Sequence, residues 1–318
     1  LETVYEPAGA ARGDAGPQRT LRGAIEEILS ATGTTDRQKA FLIRKLWEGI
    51  PLPAGLAEEV EAAYRRLGTA EDPEAYVAVR SSGREEDREE EFRAGEFLTF
   101  LQIRGTESVL AHLRLAWSGL WTERAIRNRA RAGAPAIPDG GGVVVQRMVS
   151  SRVSGVMQTI NVAERRFGEI VINAGLGLGE GIVSGLVGAD QIVVEKEEPG
   201  SSKPEGLRLR YVTNDKKEKV VADRRRGFGT VRVESLYHER FRAALEYVEI
   251  EELVRAGTRL EQAYGLPLDI EFGIEGAHVR ILQVRPVVTF AAVVRETVDR
   301  RPIGRCAEEG QGRTEEPQ

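Results

Sequence analysis

The run from Leu268 to Pro286 constrains the chain more than any other segment. Asp269-Ile270-Glu271 alternates acid, apolar, acid; past a turn signal at Glu275-Gly276, Gln283-Val284-Arg285 alternates in the same way. Successive side chains of a strand point to opposite faces, so each run sets its polar members on one side. A hairpin turning near Gly276 places Asp269 roughly opposite Gln283. Two carboxylates, an amide and a guanidinium then converge on one face of an antiparallel pair.

Upstream, strand-like runs cover Val143–Met148, Val153–Ile160, Glu169–Ala174 and Gln191–Glu195, with the glycine-rich segment Gly177-Leu178-Gly179-Glu180-Gly181 between the last two. The polar stretch 197–230 predicts a hairpin excursion, and a helix is expected over about 239–264. The first third reads differently. Apolar residues recur at helical spacing from Leu21 to Leu46, then from Leu56 to Leu67 after Pro51 and Pro53. Short strands are expected at Tyr76–Val79 and Phe97–Ile103, and one amphipathic helix over about 107–131 carries Trp117 and Trp121 as core packing. The expected organisation is a disordered lead (1–19), a first lobe incomplete at its N-terminus (20–138), a second lobe (139–290) and a disordered tail or linker (291–318). The opening Leu1-Glu2-Thr3 is neither an initiator methionine nor a secretory signal, which suggests a fragment.

Composition excludes several classes. No apolar run approaches the roughly 18 residues that span a bilayer, so no membrane partner is expected. A net charge of −5 with interleaved signs makes nucleic acid a poor partner. Cys306 is the only cysteine, which excludes a disulfide framework and fits a reducing cytoplasm. Only seven of 45 basic residues are lysine, so a site built on guanidinium forks has far more candidates than one built on ammonium groups.

Three elements could carry chemistry. Asp269 and Glu271 offer the hard oxygens that Mg²⁺ takes, usually one or two carboxylates completed by phosphates and water. Arginine beside them can neutralise a phosphoryl group in flight. Taken alone, though, the hairpin is more simply an exposed strand face with an Asp269–arginine ion pair. Val79-Arg80-Ser81-Ser82 brings a fork and two hydroxyls off a buried strand, where a guanidinium can grip phosphate bidentately or merely stand in a turn. Ala94-Gly95 followed by Thr99 would let backbone N–H groups and a hydroxyl approach phosphate. The glycine segment lacks Gly-x-Gly-x-x-Gly spacing, no Gly-Lys-Ser/Thr occurs, and His112, His238 and His278 are scattered.

In order, these segments resemble the ATP-grasp nucleotide-binding domain shared by phosphoenolpyruvate synthase, pyruvate phosphate dikinase and rifampin phosphotransferase. The resemblance rests on Val77–Ser82, Glu86-Asp87, Ala94-Gly95 with Thr99-Phe100-Leu101, Val144–Val149, Ser154–Met157, Gly177–Glu180 with Val183–Gly185, and Asp269–Glu271 through Leu282–Pro286. It covers roughly residues 20–290. It implies an α+β fold of the ATP-grasp type, two lobes with mixed or antiparallel sheets and flanking helices around a nucleotide cleft. It also implies roles. Arg80 and Arg285 would act on phosphate, Gly95 and Thr99 would lie over it, and Gln146 would open the adenine segment. Asp269 and Glu271 would hold Mg²⁺, and Gln283 would complete the ATP site. The cofactors are then ATP and Mg²⁺, and the partner is a phosphohistidine carrier domain in cis or in trans. Two departures stand out: nothing before Arg80 matches the family's Gly-Gly-Lys segment, and Phe92, Arg93 and Phe97 replace its usual Ser, Phe and Gln. The phosphohistidine and acceptor domains are expected elsewhere, and a degenerate, non-catalytic nucleotide-binding module is the alternative.

Overall fold

The computed structural model describes residues 4–5, 19–83, 98–138, 140–196 and 206–287. Val4–Tyr5 (β1) pairs antiparallel with Arg19–Thr20 (β2). The helical spacing from Leu21 to Leu46 belongs to two helices, Leu21–Ser30 (α1) and Asp36–Gly49 (α2). The division is local: Thr35 closes a capping box with Gln38, accepting from its N–H at 3.3 Å while Gln38 Oε1 accepts from Thr35 N at 2.9 Å. Beyond the prolines lies Ala54–Arg65 (α3).

Val77–Gly83 (β3) runs between Thr99–Ile103 (β4) and Gly141–Arg147 (β5) in an antiparallel sheet ordered β4-β3-β5. Its third strand comes from beyond the expected 138/139 boundary, so the chain passes to the second sheet at residues 148–152 instead. The single helix predicted over 107–131 is also divided. Thr106–Ser118 (α4) enters a 3-10 turn at Gly119–Trp121, and Thr122 starts Glu123–Ala132 (α5) by accepting from Ala125 N at 3.2 Å. Val77, Val79 and Ile103 pack with Tyr64 of α3 and with Val109 and Ala116 of α4, while Leu21, Ile25, Ile43, Trp47 and Trp121 form a neighbouring cluster.

The second sheet is larger. Val153–Gln158 (β6), Glu169–Leu176 (β7), the short helix Glu180–Val183 (α6), Asp190–Glu195 (β8) and Leu209–Val212 (β9) come first. A separate hairpin follows, Glu218–Ala222 (β10) with Thr230–Glu234 (β11), then Tyr237–Arg240 (α7) and Tyr247–Tyr264 (α8). Leu268–Glu275 (β12) and His278–Pro286 (β13) close the order β13-β12-β6-β7-β8-β9, antiparallel throughout. Leu268, Ile270, Phe272 and Ile274 are buried with Ile170, Ile172 and Leu253 of α8, so the alternation that hides them turns Asp269 and Glu271 to the opposite face. The architecture is α+β, with helices around two antiparallel sheets.

The polar stretch 197–230 conceals the most buried ion pair among the described residues. Lys216 Nζ donates to Asp190 Oδ1 at 2.6 Å, and both side chains are fully buried. Asp190 also accepts from Asn214 N at 2.9 Å, Ala244 N at 2.8 Å and the Tyr211 hydroxyl at 3.0 Å. Burial, reinforced by the Asp190 charge, pushes the Tyr211 hydroxyl up to about 12. A tyrosine in the unfolded chain ionises near pH 10. Between these values the folded chain keeps a proton that the unfolded chain has lost, so stability falls as pH rises. The contribution is whole below pH 10 and gone above about 12. Tyr211→Phe is therefore expected to show a shallower loss of stability across that window in urea titrations. Parallel alkaline slopes for the two proteins would show that Tyr211 does not titrate late.

Candidate functional site

The hairpin β12–β13 does not have the register that a turn centred at Gly276 implies. Its tight turn is Gly276-Ala277, with Glu275 opposite His278, and pairing runs regularly to Phe272 opposite Ile281. Continued, that register would set Ile270 opposite Gln283 and turn Gln283 away from both acids. A bulge at Leu282 intervenes, and beyond it Glu271 faces Gln283 and Asp269 faces Arg285. The expected Asp269–Gln283 pairing is thus corrected by two residues, one from the turn and one from the bulge. Because two is even, all four groups still share a face.

The small sheet meets that face through two side chains. Arg80 of β3 bonds through Nη2 to Gln283 Oε1, and the same nitrogen lies 3.6 Å from Glu271 Oε2. Gln146 of β5 donates from Nε2 to the carbonyl of the bulged residue Leu282 at 3.1 Å. Between the sheets opens a cleft of about 460 Å³. One wall is Ala78, Arg80, Thr99 and Leu101; the end of β5 and the residues that follow it, 146–149 and Ser151, form its back. Leu178, Gly179, Glu180, Val183 and Ser184 supply the opposite wall, with Glu271 and Leu282 from the hairpin.

The glycine segment serves close packing of backbone on backbone. Gly177 has φ 83°, and a Cβ there would lie 2.2 Å from the carbonyl oxygen of Val220, which also accepts from Leu178 N at 2.8 Å. The β10–β11 hairpin is thereby laid along the cleft wall. It is fastened by Thr230 Oγ1 donating to Glu180 Oε2 at 2.6 Å, and it reaches the small sheet where Gly229 N donates to the Leu101 carbonyl at 3.1 Å.

Arg80, Thr99, Gln146 and Glu271 lie in the cleft walls, whereas Asp269, Gln283 and Arg285 continue the same hairpin face beyond them. Gly95 and the charge run 84–91 lie outside the described residues. None of the three histidines lines the cleft; His112 Nδ1 lies 2.7 Å from the Ser108 carbonyl, with its ring edge-on to Phe100. Asp269 and Arg285 form the simple surface ion pair, Oδ2 accepting from Nε at 3.0 Å and Nη2 at 2.7 Å. That pair does not account for Asp269 Oδ1, which is buried without a hydrogen-bond partner among the described residues. A carboxylate oxygen so placed is costly, and a hard cation matches its chemistry. Among the described residues no cluster of three or more Asp, Glu, His or Cys could hold a metal. Mg²⁺ would therefore draw most of its shell from oxygens that a ligand brings, as it commonly does.

A sequence profile of the pyruvate phosphate dikinase AMP/ATP-binding domain matches residues 14–301. The chain belongs to this family. A probable phosphoenolpyruvate synthase of Pyrococcus horikoshii is 35% identical over 296 residues, covering 88% of this chain and 35% of that protein. The phosphoenolpyruvate synthase of Aeropyrum pernix is 33% identical over 324 residues (92% and 39%), and a rifampicin phosphotransferase of a Streptomyces species is 34% identical over 263 residues (81% and 28%). The chain spans about a third of the length of the curated relatives it matches. Among the described residues no helix is long and apolar enough to cross a membrane.

In this AMP/ATP-binding domain the sequence left several wall residues without a role. Leu101, Arg147, Glu180 and Ser184 stand in recognisable blocks but carry no pattern that announces a ligand contact. Ser151 belongs to no block at all. It reaches the cleft only because the chain changes sheets beside it, and no local signal marks that.

Proposed function

We propose that this domain binds Mg·ATP in the cleft between its two sheets, in the manner of an ATP-grasp fold, and passes a phosphoryl group to a carrier histidine on another domain. One observation carries the reading. Arg80, from a strand early in the chain, meets Glu271 and Gln283 of the closing hairpin at the mouth of a cleft. Arg80 engages both through Nη2 alone, so among the described residues the N–H groups of Nε and Nη1 remain to donate to phosphate oxygens. The apolar walls at Ala78, Met148, Leu178 and Leu282 suit a base, next to the backbone that follows Gln146. Thr99 and Gly95 would lie over the phosphates, and Arg285 would offset charge from beyond Asp269. Asp269 and Glu271 would hold the metal, which when bound supplies charge neutralisation across the phosphates.

The names of the relatives support a phosphoenolpyruvate synthase-like or antibiotic phosphotransferase reaction for the whole protein, with the carrier domain in cis or in trans. With one cysteine in 318 residues, we place that chemistry in the reducing cytoplasm. A second reading, nucleotide binding without transfer, is favoured by one feature: no described lysine lines the cleft. Incubation with ATP and an isolated phosphohistidine domain separates the two, because only the first labels the histidine.

The site itself is tested by calorimetry. ATP is expected to bind tightly only with a divalent cation, since carboxylates and phosphates otherwise face one another unscreened. Glu271→Gln should keep the fold and weaken Mg·ATP by on the order of tenfold or more. Equal ATP affinity with and without Mg²⁺ would remove the metal site, and global unfolding of Glu271→Gln would reduce the carboxylate to a structural partner of Arg80.

A further inference from the structure

A second cavity, of about 830 Å³, adjoins the nucleotide cleft and shares Ser151 and Leu178 with it, but none of Arg80, Gln146 and Glu271. Much of its lining is the β10–β11 hairpin, whose turn sets Arg224, Arg225 and Arg226 in a row at the cavity. Backbone bonds hold that turn: Gly227 N donates to the Asp223 carbonyl and Asp223 N to the Gly229 carbonyl, both at 3.0 Å. The one carboxylate in the lining, Asp223, is engaged there too. Its Oδ1 accepts from the N–H groups of Arg225 and Arg226 at 3.0 and 3.2 Å, and its Oδ2 lies 3.7 Å from Arg226 Nε. Among the described residues neither the Arg224 nor the Arg225 guanidinium has a carboxylate partner. Three guanidinium groups against one carboxylate make the cavity cationic in a chain whose net charge is −5.

A row of arginines on a turn is by itself only a solvated surface. Gln102 makes this one different. Thr99 and Leu101 of β4 line the nucleotide cleft, while Phe100 and Ile103 pack in the core of the small sheet. Strict alternation would send Gln102 into that core beside Phe100 and turn Ile103 outward. Instead the register with β3 slips by one residue between Ile103 and Phe100. Gln102 takes φ 58°, the left-handed conformation that a non-glycine residue seldom adopts. The bulge returns Ile103 to the core and leaves Gln102 lining the second cavity, 8% exposed. Its amide has no hydrogen-bond partner among the described residues, yet it is not sealed from solvent, so a ligand in the cavity can reach it. Leu178, Val220, Val231 and Val233 give the same space an apolar side. We propose that this cavity binds a small organic phosphate. Its phosphate sits on the arginines of the turn, its apolar body lies against the valines and Leu178, and one of its oxygens bonds to Gln102. Guanidinium forks suit phosphate oxygens, and a dianion can use more than one of them, whereas a single carboxylate cannot answer all three.

Calorimetric titration of the whole chain with 1-naphthyl phosphate tests the site. Saturable binding is expected, with a dissociation constant on the order of 0.1 mM. Inorganic phosphate lacks the body and 1-naphthol lacks the charge, so each should bind at least about tenfold more weakly. Arg224→Gln with Arg225→Gln changes only exposed side chains of the turn, and should weaken 1-naphthyl phosphate about tenfold while sparing 1-naphthol. Gln102→Met keeps the length and removes the amide, which should cost roughly three- to tenfold. Arg80→Lys should leave the probe unaffected, whether or not the nucleotide cleft takes ATP. Absence of saturable binding overturns the proposal, as does affinity that survives loss of the two arginines. Weakening in Arg80→Lys would put the phosphate in the nucleotide cleft and overturn the second site. Equal weakening of 1-naphthyl phosphate and 1-naphthol in the arginine variant would overturn the role of the charge.

Discussion

Lys216→Met is expected to destabilise the protein by about 3–5 kcal/mol, the usual cost of removing one partner from a buried ion pair. The cost comes from what stays behind. Asp190 keeps the Tyr211 hydroxyl and the N–H groups of Asn214 and Ala244, yet its charge loses its only buried counter-ion among the described residues. At roughly 2–4 °C per kcal/mol for a domain of this size class, the melting temperature should drop by on the order of 10 °C. The network ties β8, β9, the loop before β10 and the entry to α8 at one end of the large sheet, so the loss should appear as global unfolding in urea, with an unchanged m-value. A loss below about 1 kcal/mol would mean that water reaches the pair and that it behaves as a surface bridge. Replacing both partners by apolar residues is expected to recover only part of the loss, because three donors then lose their acceptor.

Arg80→Lys is expected to weaken ATP by about one to two decades while leaving adenosine binding nearly unchanged. Lysine keeps the charge but replaces a planar fork by a point donor on a flexible stem. Charge-assisted hydrogen bonds contribute roughly 1.5–3 kcal/mol, which sets the size of the effect. Adenosine lacks the phosphates that Arg80 is proposed to hold, so it serves as an internal control. The substitution also removes the link to Gln283 and Glu271, and a general opening of the cleft would weaken both ligands together. Selective loss of ATP supports phosphate contact, parallel loss assigns Arg80 to holding the sheets, and normal ATP affinity excludes both.

Much of the arrangement at the candidate site was legible in the sequence. Alternation alone placed Asp269 and Glu271 on one strand face, because a strand has period 2 and the apolar members must be buried. The ordered blocks from Val77 to Pro286 likewise pointed to the family, which the profile match over residues 14–301 bears out. Helix ends marked by Thr35 and Thr122 were equally local, though hydrophobic spacing alone ran through both breaks.

What the tertiary structure decided was everything that depends on partners far apart in sequence. Arg80 and Gln283 are 203 residues apart, and only the closing of one sheet against the other brings them together. The bulge at Leu282 is set by competition between the turn and the core. Leu268, Ile270, Phe272 and Ile274 must stay buried while the tight turn fixes the first pairs, and one extra residue reconciles the two. The boundary expected at 138/139 falls before β5 although β5 joins the first sheet, because β5 is as apolar as the strands of the other sheet and pattern does not say which sheet a strand joins. Lys216 gave no signal at all. A lysine in a polar, charged stretch reads as solvated, and only the fold, by delivering Asp190, Tyr211 and two backbone N–H groups to one buried point, makes an interior position the stable one.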